Sequence, residues 1–217
     1  VFLLVKSPFS VFAQLNESYT LRPNIDYGTI GKFNPVDTFI NGSFDILRNG
    51  YDSRQVTQIP LINGYRNVTR ILINSREIVR DFNRDHKYNF WQTQAFPLSW
   101  TAKKASWVPN YQTHIVGEGY ICRQLAEWYQ YRQVPAPYFW AVLTSFAYQY
   151  TNEAVENGPS TNDSIDPIAD ILIFNPIGWG LFYFDPVAKF FSQTLRMQNW
   201  SLQPVFNPYN NILSNAG

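Results

Sequence analysis

Residues 138–159 read Tyr138-Phe139-Trp140-Ala141-Val142-Leu143-Thr144-Ser145-Phe146-Ala147-Tyr148-Gln149-Tyr150-Thr151-Asn152-Glu153-Ala154-Val155-Glu156-Asn157-Gly158-Pro159. The stretch carries no charge before Glu153 and no glycine or proline before Gly158. That length of strongly apolar sequence predicts a helix from Tyr138 to Glu156. Asn157-Gly158-Pro159 closes it, because glycine tolerates a left-handed cap and proline cannot continue a helix. A helix this apolar belongs at the centre of a packed unit.

Reading outward from it gives more helix on both sides. Downstream come Asp166-Pro167, Asn175-Pro176 and Asp185-Pro186, each pairing a favoured N-cap residue with a proline suited to the first helical position. Three short helices in a row are predicted. Trp200 to Phe206 then alternates like a strand, and a downstream continuation into further β-structure is expected. Upstream, His114 to Arg132 places Ile115, Tyr120, Ile121, Leu125 and Trp128 at helical spacing, with Arg123 and Glu127 as an i, i+4 pair; Val134-Pro135-Ala136-Pro137 ends that element.

Residues 88–113 hold Trp91, Trp100 and Trp107 among polar residues, broken by Pro97 and Pro109, and read as an irregular aromatic connection. Val68 to Phe82 is amphipathic: Val68, Ile71, Leu72, Ile78, Val79 and Phe82 face one way, while Arg76, Arg80 and Arg84 alternate with Glu77, Asp81 and Asp85 on a solvated face. Residues 14–65 are rich in Asn, Gly, Pro, Asp and Tyr and read as an extended arm with turns at Asn41-Gly42 and Asn49-Gly50. Residues 1–13, ending Val11-Phe12-Ala13, fit the end of a secretory signal, although Lys6 interrupts the apolar run and a buried N-terminal strand fits the same residues. The fold class is therefore mainly α: a compact helical unit over 66–217, of about five to six helices, with an extended N-terminal arm and a short C-terminal β segment.

Composition narrows the function classes. Of 217 residues, 18% are aromatic and only 15% charged, so large amphipathic rings are a main packing material. Such rings fill cores and also mark membrane interfaces. A net charge of +1 gives no electrostatic footprint for nucleic acid. The charge is uneven: residues 1–113 sum to +5 and 114–217 to −4. The single cysteine, Cys122, excludes an internal disulfide and a cysteine-rich zinc site. Nucleophile elbow, phosphate loop, dinucleotide fingerprint and calcium loop are all missing: Gly117-Glu118-Gly119 lacks the third glycine and Gly178-Trp179-Gly180 lacks a lysine. Nucleotide is not an expected ligand. No run reaches the roughly eighteen apolar residues of a spanning helix.

Polar groups on apolar faces are the remaining signal. The acids Asp163, Asp166 and Asp185 are accounted for by capping and turns. His114, Glu118 one turn later, Glu153 and Asp170 are not. An unpaired buried carboxylate costs several kcal/mol, so such groups find a partner or a metal, or change protonation. Convergence of His114, Glu118, Glu153 and Asp170 on one site would suit divalent-metal binding or acid–base chemistry. A buried hydrogen-bond network fixing helix register accounts for the same four residues. Neither the metal nor a cofactor is identified by the pattern.

The run His114-Ile115-Val116-Gly117 through Glu127-Trp128, with Thr151-Asn152-Glu153-Ala154-Val155-Glu156-Asn157, Asp166-Pro167-Ile168-Ala169-Asp170 and Asn175-Pro176-Ile177-Gly178, resembles the uncharacterised bacterial domain-of-unknown-function 3943 family over about residues 100–217. The order of His, Glu and Asp also resembles VanZ-like small membrane proteins, whose spanning hydrophobicity this chain lacks. The first resemblance implies an exported envelope protein of Gram-negative bacteria, often Bacteroidetes, in which a helical unit precedes outer-membrane β-strands. It implies a location in the periplasm or outer membrane and supplies no reaction. Two functions follow. One is a non-enzymatic envelope module partnered by membrane lipid or by a β-barrel portion of the same chain. The other is a hydrolase or transferase acting on envelope lipid or glycan through His114, Glu118, Glu153 and Asp170.

Overall fold

The computed structural model describes residues 15, 17–23, 33–45, 58–95, 110–158, 164–198, 200, 204–207 and 212–215. The protein is mainly α-helical, as its spacing predicts. Its helices are α1 (Pro35–Ser43), α2 (Leu61–Ile73), α3 (Ser75–Asp85), α4 (Glu118–Tyr131), α5 (Pro137–Asn157), α6 (Asp166–Ala169), α7 (Asn175–Tyr183) and α8 (Asp185–Lys189). Four π-helical segments accompany them: Trp91–Ala95, Asn110–Gly117 leading into α4, Asp170–Phe174 between α6 and α7, and Phe190–Thr194 after α8. The signal-like residues 1–13, the Asn49-Gly50 turn and the Trp100 and Trp107 region lie outside the described residues.

The strongly apolar helix is central: α5 packs against α1, α2 and α4, and α4 in turn packs against α7. Its buried side brings Tyr138, Ala141 and Tyr148 against Cys122, Leu125 and Ala126 of α4, with Trp179 of α7 closing the cluster. A second cluster joins Ile71 of α2 to Phe90, Ile168, Ala169 and Phe174, and a third joins Tyr120, Phe182 and Met197. Each fully buried Leu or Phe among these contributes about 1.5–3 kcal/mol.

Glycines set how closely the helices approach. A Cβ at Gly64 would overlap the carbonyl of Ala154, so α2 and α5 meet backbone to backbone there. A Cβ at Gly119 would lie 2.7 Å from the Gly178 carbonyl oxygen, and one at Gly178 would lie 2.6 Å from the carbonyl oxygens of His114 and Ile115. The two glycine-bearing stretches that fail as nucleotide motifs are thus the contact between the α4 rod and α7.

Several local expectations need correction. Part of the arm is helical: Asn34 caps α1 by accepting the Asp37 N–H at 2.9 Å, with Pro35 at the first turn, and Asn41-Gly42 lies inside that helix rather than in a turn. The amphipathic stretch is two helices, broken at Asn74 (φ −99°, ψ 22°), although its Arg/Asp face is solvent-exposed as expected, with Arg84 3.2 Å from Asp81. Gly158 is right-handed (φ −57°), so α5 ends without the left-handed cap.

The three short helices are also fewer breaks than expected. Right-handed helical backbone continues from α6 through Asp170, Phe174 and Asn175 into α7, with Asn175 N–H bonding the Asp170 carbonyl five residues back. The widened π turn accommodates the Pro176 ring, which in an α-helix would meet the carbonyl four residues back. The break falls instead at Phe184, where α7 and the α8 segment meet at 88°. After the helices, β1 (Pro204–Asn207) and β2 (Ile212–Asn215) pair antiparallel; β1 overlaps only the last three residues of the alternating run from Trp200 to Phe206.

Candidate functional site

Three elements converge on one buried acidic group. The π-helical segment ahead of α4 supplies His114, α5 supplies Glu153, and the π turn after α6 supplies Asp170. His114 Nε2 lies 3.4 Å from Asp170 Oδ2, and its Nδ1 lies 3.0 Å from Asn175 Oδ1. Only 15% of the His114 side chain and 9% of the Asp170 side chain reach solvent. The helical path explains the meeting: Asp170 and Asn175 are the two ends of the i to i+5 turn, so one wide turn offers both partners to the imidazole.

Glu153 is buried beside this pair, its Oε2 accepting from Asn157 Nδ2 at 3.2 Å. Glu118 goes elsewhere. It is buried against Tyr148, whose hydroxyl donates to Glu118 Oε2, and it feels His114 only through charge. Of the four residues singled out by sequence, the structure pairs His114 with Asp170, links Glu153 to Asp170 and Glu118 to His114 through charge alone, and gives Glu118 a hydrogen-bond partner, Tyr148, on α5.

Three further residues belong to the group. Asn175 holds His114, and Asp166 and Glu156 add charge to Asp170 and Glu153. Asp166 is not an N-cap: Ile165 precedes the helix, no side-chain cap bond forms, and the Asp166 carboxylate instead accepts from Ser164 Oγ at 3.3 Å. Asp185 does not cap α8 either; it accepts from Arg123 Nη2 at 2.7 Å. The Asx-Pro spacing is shared by caps and by functional acids, which is why sequence assigned these groups to the ends of helices.

The electrostatics of this group follow from burial, with no Lys or Arg paired to its carboxyls among the described residues. Burial raises the Glu153 and Asp170 carboxyls well above their usual range; Asp170 charge adds to the effect on Glu153, and Asp166 and Glu156 add to that on Asp170. Burial likewise pushes Glu118 up to about 7, against hydrogen bonds from Tyr148 and Gln149 that favour its ionised form. Burial lowers the His114 imidazole, although Glu118 charge and the Asn175 bond oppose it. Burial thus favours a neutral imidazole, which can donate from Nδ1 to Asn175 Oδ1, and the protonated form of Asp170, whose Oδ2 lies 3.4 Å from Nε2.

Two atoms in the group lack a hydrogen-bond partner while fully buried: Asp170 Oδ1 and Asn175 Nδ2. Among the described residues, no group of three or more His, Cys, Asp or Glu side chains is arranged to hold a metal ion. What the arrangement can do is store protons between α5, α6 and the segment ahead of α4. No family model, curated protein or solved structure matches this chain.

A second buried polar group sits on the other face of α4. Arg123 and Glu127, read from sequence as an i, i+4 pair, are buried and 2.7 Å apart. Glu127 also accepts from the backbone N–H groups of Tyr19, Thr20 and Leu21, and Arg123 donates to the Glu17 and Tyr183 carbonyls. This pair ties residues 17–21 to the helical unit. The i, i+4 spacing was legible, but nothing local in the sequence marks a partner more than a hundred residues away.

Proposed function

We propose that this chain is a non-enzymatic helical module of a bacterial cell envelope, which works at the membrane edge beside the β-strands that follow it. The observation that carries the reading is the outer face of α5. Phe139, Trp140, Leu143 and Phe146 are all exposed on it, along a stretch with no charge from Pro137 to Asn152. Exposed apolar patches of that kind mark interaction surfaces, and aromatic rings favour the lipid–water boundary. The antiparallel β1–β2 pair immediately after the helices and the resemblance of residues 100–217 support the same setting. No single helix among the described residues is long and apolar enough to cross a membrane.

The acidic group supports a structural role within this module, because it is closed and its carboxyls are held protonated by burial. A second reading, acid–base hydrolysis or transfer on envelope lipid or glycan, is favoured by one observation: Asp170 is oriented by His114 and keeps Oδ1 without a partner beside Asn175 Nδ2.

Fluorescence with brominated phosphatidylcholine vesicles tests the first reading. Quenching is expected for the wild type and is expected to fall for Trp140→Phe and for Leu143→Ser/Phe146→Ser. Unquenched emission at every lipid concentration would overturn it. Ester turnover lost in Asp170→Asn with unchanged melting would replace it with the second.

A further inference from the structure

The corner between α7 and α8 has a chemistry that the α5 face lacks. Ile171 to Phe184 contains no charged residue, and the helix then bends by 88° at Phe184. Ile177, Leu181, Phe184, Phe190 and Leu195 are exposed around that bend. The stretch beyond it carries Lys189 at the end of α8 and Arg196 just after the Phe190–Thr194 turn, both exposed, and no acid from Pro186 to Gln198. Its one acid, Asp185, is held by the buried Arg123 guanidinium at 2.7 Å. The corner therefore presents apolar and aromatic side chains next to two cations, and the one acid beside them among the described residues, Asp185, is paired with Arg123.

We propose that this corner docks on a bilayer surface bearing anionic lipid headgroups, with Phe184 and Phe190 entering the headgroup–acyl boundary and Lys189 and Arg196 meeting phosphate. The proposal rests on the membrane-edge reading and adds the lipid class and the residues that select it. Lysine and arginine can lay their aliphatic stems along apolar surface while the charged head stays at headgroup level. Interfacial helical segments combine apolar burial with basic residues in this way, and the two contributions are separable by salt. A β-strand partner or a second copy of the chain would need an apolar or acidic counterpart, and the two cations favour phosphate over either.

The test is sedimentation of the full chain with vesicles of phosphatidylcholine alone and with roughly one-third phosphatidylglycerol, at low and high salt. Two cations near an anionic surface predict roughly thirty-fold tighter binding to the phosphatidylglycerol vesicles, abolished by high salt. Lys189→Gln/Arg196→Gln is expected to remove that ratio while keeping binding to neutral vesicles. Phe184→Ser/Phe190→Ser is expected to weaken both. Equal binding to the two vesicle types, or an anionic preference unchanged in Lys189→Gln/Arg196→Gln, would overturn the corner while leaving the α5 reading in place. Absence of binding to either vesicle would overturn both. A dimer seen without vesicles and abolished by Phe184→Ser/Phe190→Ser would assign the corner to a second copy and overturn the proposal.

Discussion

The two polar groups buried against the α4 rod are built on opposite principles. Around Glu127, one carboxylate faces one guanidinium and three backbone N–H groups, so its charge is matched. Around Asp170, several carboxyls face a single imidazole, and two buried polar atoms are left without a partner. The first is a charged joint that holds because everything is paired; the second holds because its acids keep their protons. Buried charge is tolerated either by complete pairing or by neutralisation, and this chain uses one on each side of the same rod.

The largest expected effect breaks the paired joint. Glu127→Ala removes the buried carboxylate shared by Arg123 Nε and three backbone N–H groups, leaving Arg123 only Asp185 as an acidic partner, and is expected to cost about 3–5 kcal/mol in urea unfolding. Release of residues 17–21, read as faster protease cleavage there, should accompany it. A loss under about 1 kcal/mol would mean the pair is solvated in solution and the contrast is false.

Next is the close contact beneath the acidic side. Gly64→Ala puts a methyl group into the Ala154 backbone carbonyl, which cannot move as a side chain would. Overpacking of about 1–3 kcal/mol is expected in the same assay. No change would show that α2 and α5 do not approach as closely as described.

Asp170→Asn sharpens the comparison from the other side. The amide removes a group that burial keeps protonated, and it retains the shape and a donor for His114. A change of less than about 1 kcal/mol at pH 5 is expected, where both carboxyl and amide are neutral, with the variant gaining on the wild type as pH rises. The same measurement with Glu127→Gln should show a large loss at both pH values. Equal losses for the two variants would erase the distinction.

The smallest effect concerns the outer face. Leu143→Ser sits on exposed surface and should change stability by no more than about 0.5 kcal/mol, while vesicle quenching falls. A large fall in stability would mean that this face is covered within the protein.

The helical architecture was legible because 3.6-residue spacing and proline-bearing starts are local properties. The missed α1 carried the same signal, Asn34 ahead of Pro35, inside a region whose glycines and asparagines suggested turns. The π turns were not legible, since an i to i+5 step leaves the residue types unchanged, and it is this step that sets Asp170 and Asn175 on either side of His114. The site was half visible: His114, Glu153 and Asp170 stood out as polar groups on apolar faces. Asp166 was absorbed by a capping rule, and Asn175 by a helix-start rule, so the partners that complete the group were read as punctuation. Glu118 stood out in the same way, while its partner on α5, the Tyr148 hydroxyl, is invisible to spacing.

The central claim, that buried carboxyls without a paired cation are stable in their protonated form, is tested most directly by urea unfolding of the wild type and Glu118→Gln from pH 4.5 to 8. A carboxyl raised from its usual value to about 7 stabilises the fold fully below its unfolded value and loses that contribution as pH rises toward 7. The buried Glu118 alone corresponds to a loss of the order of 3 kcal/mol, with Glu153 and Asp170 adding in the same direction. His114, lowered by burial, acts the other way: its share is present above its unfolded value and is lost as pH falls below that value. The account predicts that wild-type stability falls toward pH 8 and that Glu118→Gln flattens the fall. Stability that rises steadily to pH 8, unchanged by the substitution, would contradict it and mean that these carboxyls are ionised and paired.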